Sequence, residues 1–184
     1  NAMITKEDLK NYIHSSTSNI PSYTSIDSLK DFGEFEIQKQ SKIRKLGAKN
    51  LTQSWTSIPH VTHFEEIDIS IIEEQRSELN KTSETKLTPL SYLVMKVISA
   101  LQEFPQFNAA LVGEGEIMLR KYFNIGIAVD TKDGLLVPVI KDADKLNITE
   151  VANEIIMLAE KAKNKKLLEK NLSGGTFSIS SLGP

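Results

Sequence analysis

Gly174-Gly175-Thr176-Phe177-Ser178-Ile179-Ser180-Ser181-Leu182-Gly183-Pro184 has the pattern of a short strand that follows a glycine pair. Successive side chains of a strand point to opposite faces, so Thr176, Ser178 and Ser180 share one face. Phe177 and Ile179 share the other face. This alternation predicts a strand that packs its apolar side into a core and directs a row of hydroxyl groups toward a polar site.

The composition limits the classes of protein to consider. The chain has 184 residues, 40% of them hydrophobic and 25% charged, which is enough for one domain with a sizeable core, alone or with an appendage. The net charge of −2 argues against a nucleic-acid-binding protein. Because cysteine is absent, a disulfide framework, a thiol nucleophile and a cysteine-based zinc site are excluded, and a reducing cytoplasm fits. No apolar run approaches the roughly 18 residues of a membrane span.

The first forty residues differ in composition from the rest of the chain. Asn1-Ala2-Met3 is expected to be a tag remnant, and residues 4–14 are predicted to form a short helix with Leu9, Tyr12 and Ile13 on its apolar side. Residues 15–30 are rich in serine and threonine and have the composition of a linker. Residues 31–40 are predicted to be an extended arm.

Four helices are predicted after the arm. The first covers residues 41–55, and the second begins at residue 70 with the capping-box pattern Ser70…Glu73. Thr88-Pro89 is a strong start for the third, whose buried face includes Leu93 and which ends at Pro105. The fourth begins at residues 147–150.

Five further stretches are predicted to be strands: residues 58–69, 107–112, 116–121, 122–130 and 135–140. Asp133-Gly134 between the last two favours a hairpin. On a strand His60 and His63 would point to opposite faces, so they form a poor zinc site and no metal is expected. Helices and strands mix without βαβ alternation, which predicts an α/β sandwich with a mixed or largely antiparallel sheet.

Five motifs in order resemble the catalytic domain of the dihydrolipoyl acyltransferases, the core components of 2-oxo acid dehydrogenase complexes. They are Ile-Pro-His-Val-Thr at residues 58–62, Phe-Asn-Ala-Ala-Leu at 107–111, Asn-Ile-Gly-Ile-Ala-Val-Asp-Thr at 124–131, Gly-Leu-Leu-Val-Pro-Val at 134–139, and the terminal stretch at 174–183. The resemblance covers residues 31–184. Residues 4–14 are similar to the last helix of the peripheral-subunit-binding domain of this family.

The resemblance implies a chloramphenicol-acetyltransferase-like α/β sandwich with a mixed sheet, here incomplete at the C terminus. It also implies a homotrimer that builds a larger core and works with a lipoyl domain, a decarboxylating dehydrogenase and dihydrolipoamide dehydrogenase. The implied reaction is transfer of an acetyl group between the dihydrolipoyl thiol and coenzyme A. Ile-Pro-His-Val-Thr-His at residues 58–63 is similar to members from the pyruvate dehydrogenase complex. Complexes acting on branched-chain substrates or 2-oxoglutarate stay open as alternatives.

The same resemblance implies the site residues. Ser180 matches the serine that donates a hydrogen bond to the oxyanion, and Arg76, Thr88, Asp130 and Ser181 match contacts to coenzyme A. Each of three coenzyme A contacts also has a structural interpretation. Arg76 could instead pair with Glu73 or Glu74. Thr88 could serve simply as a helix cap, and Asp130 could fix a turn.

The family's base is a histidine in a His-x-x-x-Asp-Gly motif, and no histidine follows His63 in this sequence. The chain is therefore expected to hold about three quarters of the catalytic domain and to be inactive by itself. An inactive scaffold fragment is the second hypothesis. A free-standing acetyltransferase for a small molecule is the third, and the tether-like residues 4–30 argue against it.

Overall fold

The computed structural model describes Glu7 and residues 27–181. The expected tag remnant, nearly all of the predicted helix at residues 4–14, most of the predicted linker at 15–30, and residues 182–184 lie outside the described part. The chain divides into two compact units after residue 39. In the first unit Asp27–Phe32 forms a 3-10 helix, so the beginning of the predicted extended arm is helical.

Five α-helices lie in the described part of the second unit. They are α1 (Lys42–Ser57), α2 (Ser70–Thr82), α3 (Pro89–Glu103), α4 (Ile148–Lys163) and α5 (Glu169–Leu172). Asn147 begins α4 with a complete capping box, because its side chain accepts from the Glu150 amide and Glu150 reaches back to the Asn147 amide. The predicted capping box at Ser70 is wrong. Ser70 is already helical, and the Asp68 carboxylate accepts from its amide at 2.9 Å and from its hydroxyl at 2.6 Å.

Within residues 27–181, seven short strands form three small sheets. They are β1 (Ala109–Val112), β2 (Glu116–Leu119), β3 (Ile125–Ile127), β4 (Val129–Thr131), β5 (Gly134–Leu136), β6 (Val139–Ile140) and β7 (Phe177–Ile179). β1 pairs with β2 and β4 pairs with β5, both antiparallel. In the third sheet β3 lies between β6, which is antiparallel to it, and β7, which is parallel. The predicted mixed sheet is therefore present, but each of the two long strands predicted over residues 122–140 is broken in two.

The core lies between the sheet of β3, β6 and β7 and the helices α3 and α4. Its buried members are Val94, Ile98, Leu101, Ile125, Ile127, Ile140, Ala143, Val151, Leu158 and Ile179. Leu93, predicted on the buried face of α3, is 47% exposed. Because Ile179 points into this core, the opposite face of β7 carries the hydroxyl groups, as the alternation predicts.

The strand predicted at residues 58–69 is wrong. This stretch has no regular secondary structure and pairs with no strand among the described residues. Its apolar side chains are largely exposed to solvent: Val61 is 95% exposed, Phe64 87% and Ile67 80%. A period of two in a sequence predicts an extended backbone, whereas a strand also needs a neighbour for its amides and carbonyls. Within residues 27–181 no helix is long and apolar enough to cross a membrane.

Candidate functional site

The hydroxyl strand β7 is held against the buried strand β3 in a defined parallel register. Ile125 is opposite Phe177 and Ile127 is opposite Ile179. The ladder continues past the strand, because the Ala128 amide donates to the Ile179 carbonyl at 2.9 Å. Ser180 and Ser181 follow directly, and both are exposed. The predicted catalytic hydroxyl therefore lies just beyond the end of a strand whose other side is anchored in the core.

Gly126 leaves room over β3 for the side chains of Val137 and Ser178. A Cβ atom at this glycine would lie 2.8 Å from Val137 Cγ1 and 3.2 Å from Ser178 Oγ. A groove of about 510 Å³ lies over this region, and Val139 and Thr176 also line it. The face of β7 that carries the hydroxyls thus borders an open groove.

Asp130 lies at the same edge of the sheet as Ser180. Asp130 comes three residues after β3, and Ser180 comes directly after β7. Since parallel strands end at the same edge, the two residues share that edge. Asp130 is exposed, and the turn after it is held by Thr131, whose hydroxyl donates to the Gly134 carbonyl at 2.6 Å. The alternative in which Asp130 fixes this turn has no support from these contacts.

Arg76 and Thr88 are brought together at the junction of α2 and α3. Arg76 donates to both carboxylate oxygens of Glu73, the shortest bond being 2.6 Å, and also donates to the Leu87 carbonyl at 3.3 Å. The hydrogen bond from Arg76 lowers the pKa of Glu73, and the same bond raises the pKa of Arg76. The ion pair with Glu73 that the sequence left open is therefore formed, with about a fifth of the Arg76 side chain exposed.

Asn80 reinforces this junction, and the sequence reasoning missed it. Its Oδ1 accepts from the Leu87 amide at 2.8 Å, and its Nδ2 donates to the Leu87 carbonyl at 2.9 Å. Thr88 occupies the N-cap position of α3, as predicted, but its side chain makes no capping bond. The bonds from Arg76 and Asn80 hold the Leu87 backbone directly before Thr88, and the Thr88 hydroxyl makes no bond to the first turn of α3.

The five predicted site residues fall into two groups. Arg76 and Thr88 lie at the α2–α3 junction, whereas Asp130 follows β3 and Ser180 and Ser181 follow its parallel partner β7. His60 stacks on Trp55 with ring centroids 5.2 Å apart, and its Nδ1 lies 2.6 Å from the Ile58 carbonyl oxygen. Among residues 27–181 no group of three or more acidic or histidine side chains is placed to hold a metal ion.

Comparisons with known proteins identify the family. The family model of the 2-oxoacid dehydrogenases acyltransferase catalytic domain matches residues 32–184. A curated relative, the dihydrolipoyllysine-residue acetyltransferase component of the pyruvate dehydrogenase complex of Cupriavidus necator, is 47% identical over 155 residues. That alignment covers 83% of this chain but 28% of the relative.

Solved structures show the same fold. One comes from work on the role of a serine, a histidine and an asparagine in the catalytic mechanism of Azotobacter vinelandii dihydrolipoamide acetyltransferase; it aligns with a TM-score of 0.83 at 41% identity, over 89% of this chain and 69% of that one. Another, the cubic core of a pyruvate dehydrogenase multienzyme complex, aligns with a TM-score of 0.83 at 41% identity, over 89% of this chain and 68% of that one. The predicted fold class, an α/β sandwich of the chloramphenicol-acetyltransferase type with a mixed sheet, is confirmed. The chain belongs to the acyltransferase catalytic-domain family of the 2-oxoacid dehydrogenase complexes.

Proposed function

We propose that this chain provides the oxyanion-stabilising side and the coenzyme A side of a dihydrolipoyllysine-residue acetyltransferase of a cytoplasmic pyruvate dehydrogenase complex. The observation that carries the proposal is the placement of Ser180 directly after β7, exposed, at the sheet edge shared with Asp130. A transferase that moves an acyl group between two thiols needs an exposed hydrogen-bond donor, held by a rigid element, beside the oxyanion of its tetrahedral intermediate.

The reaction follows from the chemistry of thioesters. The thiol of one substrate attacks the carbonyl carbon of the other substrate's thioester, and a new C–S bond forms as the carbonyl oxygen becomes an oxyanion. The hydroxyl of Ser180 donates a hydrogen bond to that oxygen, which lowers the energy of the tetrahedral species. The old C–S bond then breaks, and the leaving thiolate takes up the proton that the attacking thiol lost. General acid–base catalysis supplies that proton transfer, and we assign no residue of this chain to it.

Coenzyme A and the lipoyl group are substrates in this proposal. The guanidinium group of Arg76, already oriented by Glu73, is suited to a phosphate of coenzyme A, because guanidinium groups bind phosphate through paired N–H donors. Thr88, Asp130 and Ser181 offer hydroxyl and carboxylate groups to the polar pantetheine arm. The groove beside β7 is a suitable path for a thiol-bearing arm.

We also propose that the protein acts in an assembly. Similarity to a cubic core supports a homotrimer that builds a larger core. The partners would be a lipoyl domain, the decarboxylating dehydrogenase and dihydrolipoamide dehydrogenase. Residues 4–14 would form only the last helix of a peripheral-subunit-binding domain, and this segment is not expected to bind those partner enzymes on its own.

The test is acetyl transfer from acetyl-coenzyme A to dihydrolipoamide by the full-length protein. Ser180→Ala is expected to lower kcat by about 10²–10³-fold with little change in KM, because an oxyanion donor acts in the transition state. Ser99→Ala, an exposed serine on α3, is the matched control and is expected to keep full activity.

Two outcomes would contradict the proposal. Full activity in Ser180→Ala would remove the assigned role of this hydroxyl. Faster turnover with succinyl or branched-chain acyl-coenzyme A than with acetyl-coenzyme A would place the protein in a complex for 2-oxoglutarate or branched-chain substrates.

A further inference from the structure

The strand that places Ser180 is weakly held by its own ladder. β7 has three residues and, among the described strands, pairs only with β3. Since side chains alternate with a period of two, a slip of one residue would turn the hydroxyl of Ser180 to the opposite face and take Ile179 out of the core. Burial of Ile179 therefore favours the observed register, and side-chain bonds at the start of β7 reinforce it.

Asn124 makes side-chain bonds to both neighbours of β3. Its Nδ2 donates to the Gly174 carbonyl at 2.8 Å, just before β7. Its Oδ1 accepts from the Asp142 amide at 2.9 Å, just after β6. One side chain at the start of the central strand thus ties together all three strands of the sheet.

Thr176 completes the connection on the β7 side. Its amide donates to the Asn124 carbonyl at 2.8 Å, which extends the parallel ladder by one step. Its hydroxyl lies 3.3 Å from both the amide nitrogen and the carbonyl oxygen of Asn124, and so bonds back to the same residue. A threonine shifted by one position could not make these bonds.

The backbone before β7 has a conformation at Gly174 that favours glycine. Gly174 has a φ of +72°, in the left-handed region that favours glycine, and a Cβ there would lie 3.0 Å from Lys141 Nζ. Lys141 in turn donates to the Ser173 carbonyl. The approach to Thr176 is therefore constrained on both sides.

From these contacts we propose that Asn124 is a positioning residue that locks the register of β7 through Thr176 and Gly174, and thereby places the hydroxyl of Ser180. The inference rests on the proposed role of Ser180 as oxyanion donor. Asn124 lies within the motif at residues 124–131, but nothing in its sequence neighbourhood distinguishes it from an ordinary residue before a strand.

The experiment compares Asn124→Ala, Thr176→Val and Thr176→Ser in the full-length protein. Asn124→Ala and Thr176→Val are expected to lower kcat by about tenfold to a hundredfold, the effect of a misplaced catalytic group, with KM for both substrates nearly unchanged. Thr176→Ser keeps the hydroxyl and is expected to retain activity. Asn50→Ala is the control for asparagine removal, because Asn50 is exposed on α1.

A double-mutant cycle shows whether Asn124 acts through Ser180. If it does, Asn124→Ala costs little in a Ser180→Ala background, because the group it positions is already gone. Equal fold losses of kcat in both backgrounds would overturn the proposal. So would a Thr176→Val protein as active as Thr176→Ser.

Hydrogen exchange separates this inference from the proposed function. In Asn124→Ala the amides of residues 174–181 are expected to exchange faster than in the wild type, while the β1–β2 hairpin is unchanged. Unchanged exchange at β7 would overturn the register lock. If Ser180→Ala alone keeps its kcat, the role of Ser180 fails instead, and the exchange result then decides the register lock without reference to catalysis.

Discussion

Arg76 forms an ion pair that orients its guanidinium group and makes the fold sensitive to acid. The guanidinium group lies between Glu73 on its own helix and the Leu87 carbonyl before α3. It therefore links two helices and stays oriented near Thr88. Glu73 has a lowered pKa because Arg76 donates to its carboxylate. An acid with a lowered pKa stabilises the folded state above its unfolded pKa, about 4.3, and loses that contribution as the pH falls through the lowered value.

We therefore predict that Glu73→Gln lowers the free energy of unfolding at neutral pH and that the difference from the wild type shrinks as the pH falls from about 5 toward 3. Urea unfolding followed across this pH range is the measurement. Glu78→Gln is the matched control, because Glu78 forms a largely exposed pair with Lys81 on the same helix. A Glu73→Gln difference that grows on acidification would contradict the assignment.

Two glycines, one in a helix and one in the sheet, differ in the space available for a side chain. Gly47 lies within α1, and a Cβ there would meet nothing within 4 Å. Gly126 lies in β3, where a Cβ would lie 2.8 Å from Val137 Cγ1, on a β-branched side chain with little freedom to rotate. The side chains of Val137 and Ser178 can pack over β3 in this way only because this position has no side chain.

The same substitution should thus have opposite effects in the two elements. Gly126→Ala is expected to destabilise by about 1–3 kcal/mol through overpacking, whereas Gly47→Ala is expected to stabilise by up to about 1 kcal/mol through helix propensity. Thermal and urea unfolding of both variants measure the difference. Equal effects of the two substitutions would show that the sheet is packed more loosely than the structure indicates.

Between α1 and α2, three apolar side chains are largely exposed: Val61, Phe64 and Ile67 are each at least 80% exposed. Large exposed apolar side chains that lie near one another in the sequence are typical of a region that associates with another surface. This stretch also has the alternation of a strand without a partner in the described part of the chain.

We expect the 184-residue chain to self-associate through this stretch. Sedimentation at micromolar concentration should show species larger than the 20.5 kDa monomer, and the double substitution Val61→Lys with Phe64→Lys should shift the distribution toward the monomer. Lys86→Glu, a charge change at an exposed residue elsewhere, is the control. A wild-type chain that stays monomeric throughout this range would contradict the prediction.

Local patterns decided the helices, the hydroxyl face of β7 and the family. Helix starts such as Asn147…Glu150 and Thr88-Pro89 depend on contacts within one turn, so the residues themselves predict them. Patterns that needed a distant partner were less reliable. Ser70 does not cap its helix, because its hydroxyl donates to the Asp68 carboxylate instead. Residues 58–69 have the period of a strand, but no neighbouring strand pairs with them in the described part of the chain.

The candidate site divides in the same way. The family resemblance predicts all five candidate residues, namely Ser180, Arg76, Thr88, Asp130 and Ser181, although Arg76 and Thr88 lie outside its five motifs. Their grouping into a helix junction and a sheet edge, and the roles of Asn80 and Asn124, came only from tertiary structure. Those roles depend on hydrogen bonds such as the one from Asn124 to Gly174, which joins residues 50 positions apart. A sequence pattern does not predict which distant backbone group a polar side chain will bond to, because only folding of the chain brings the two groups together.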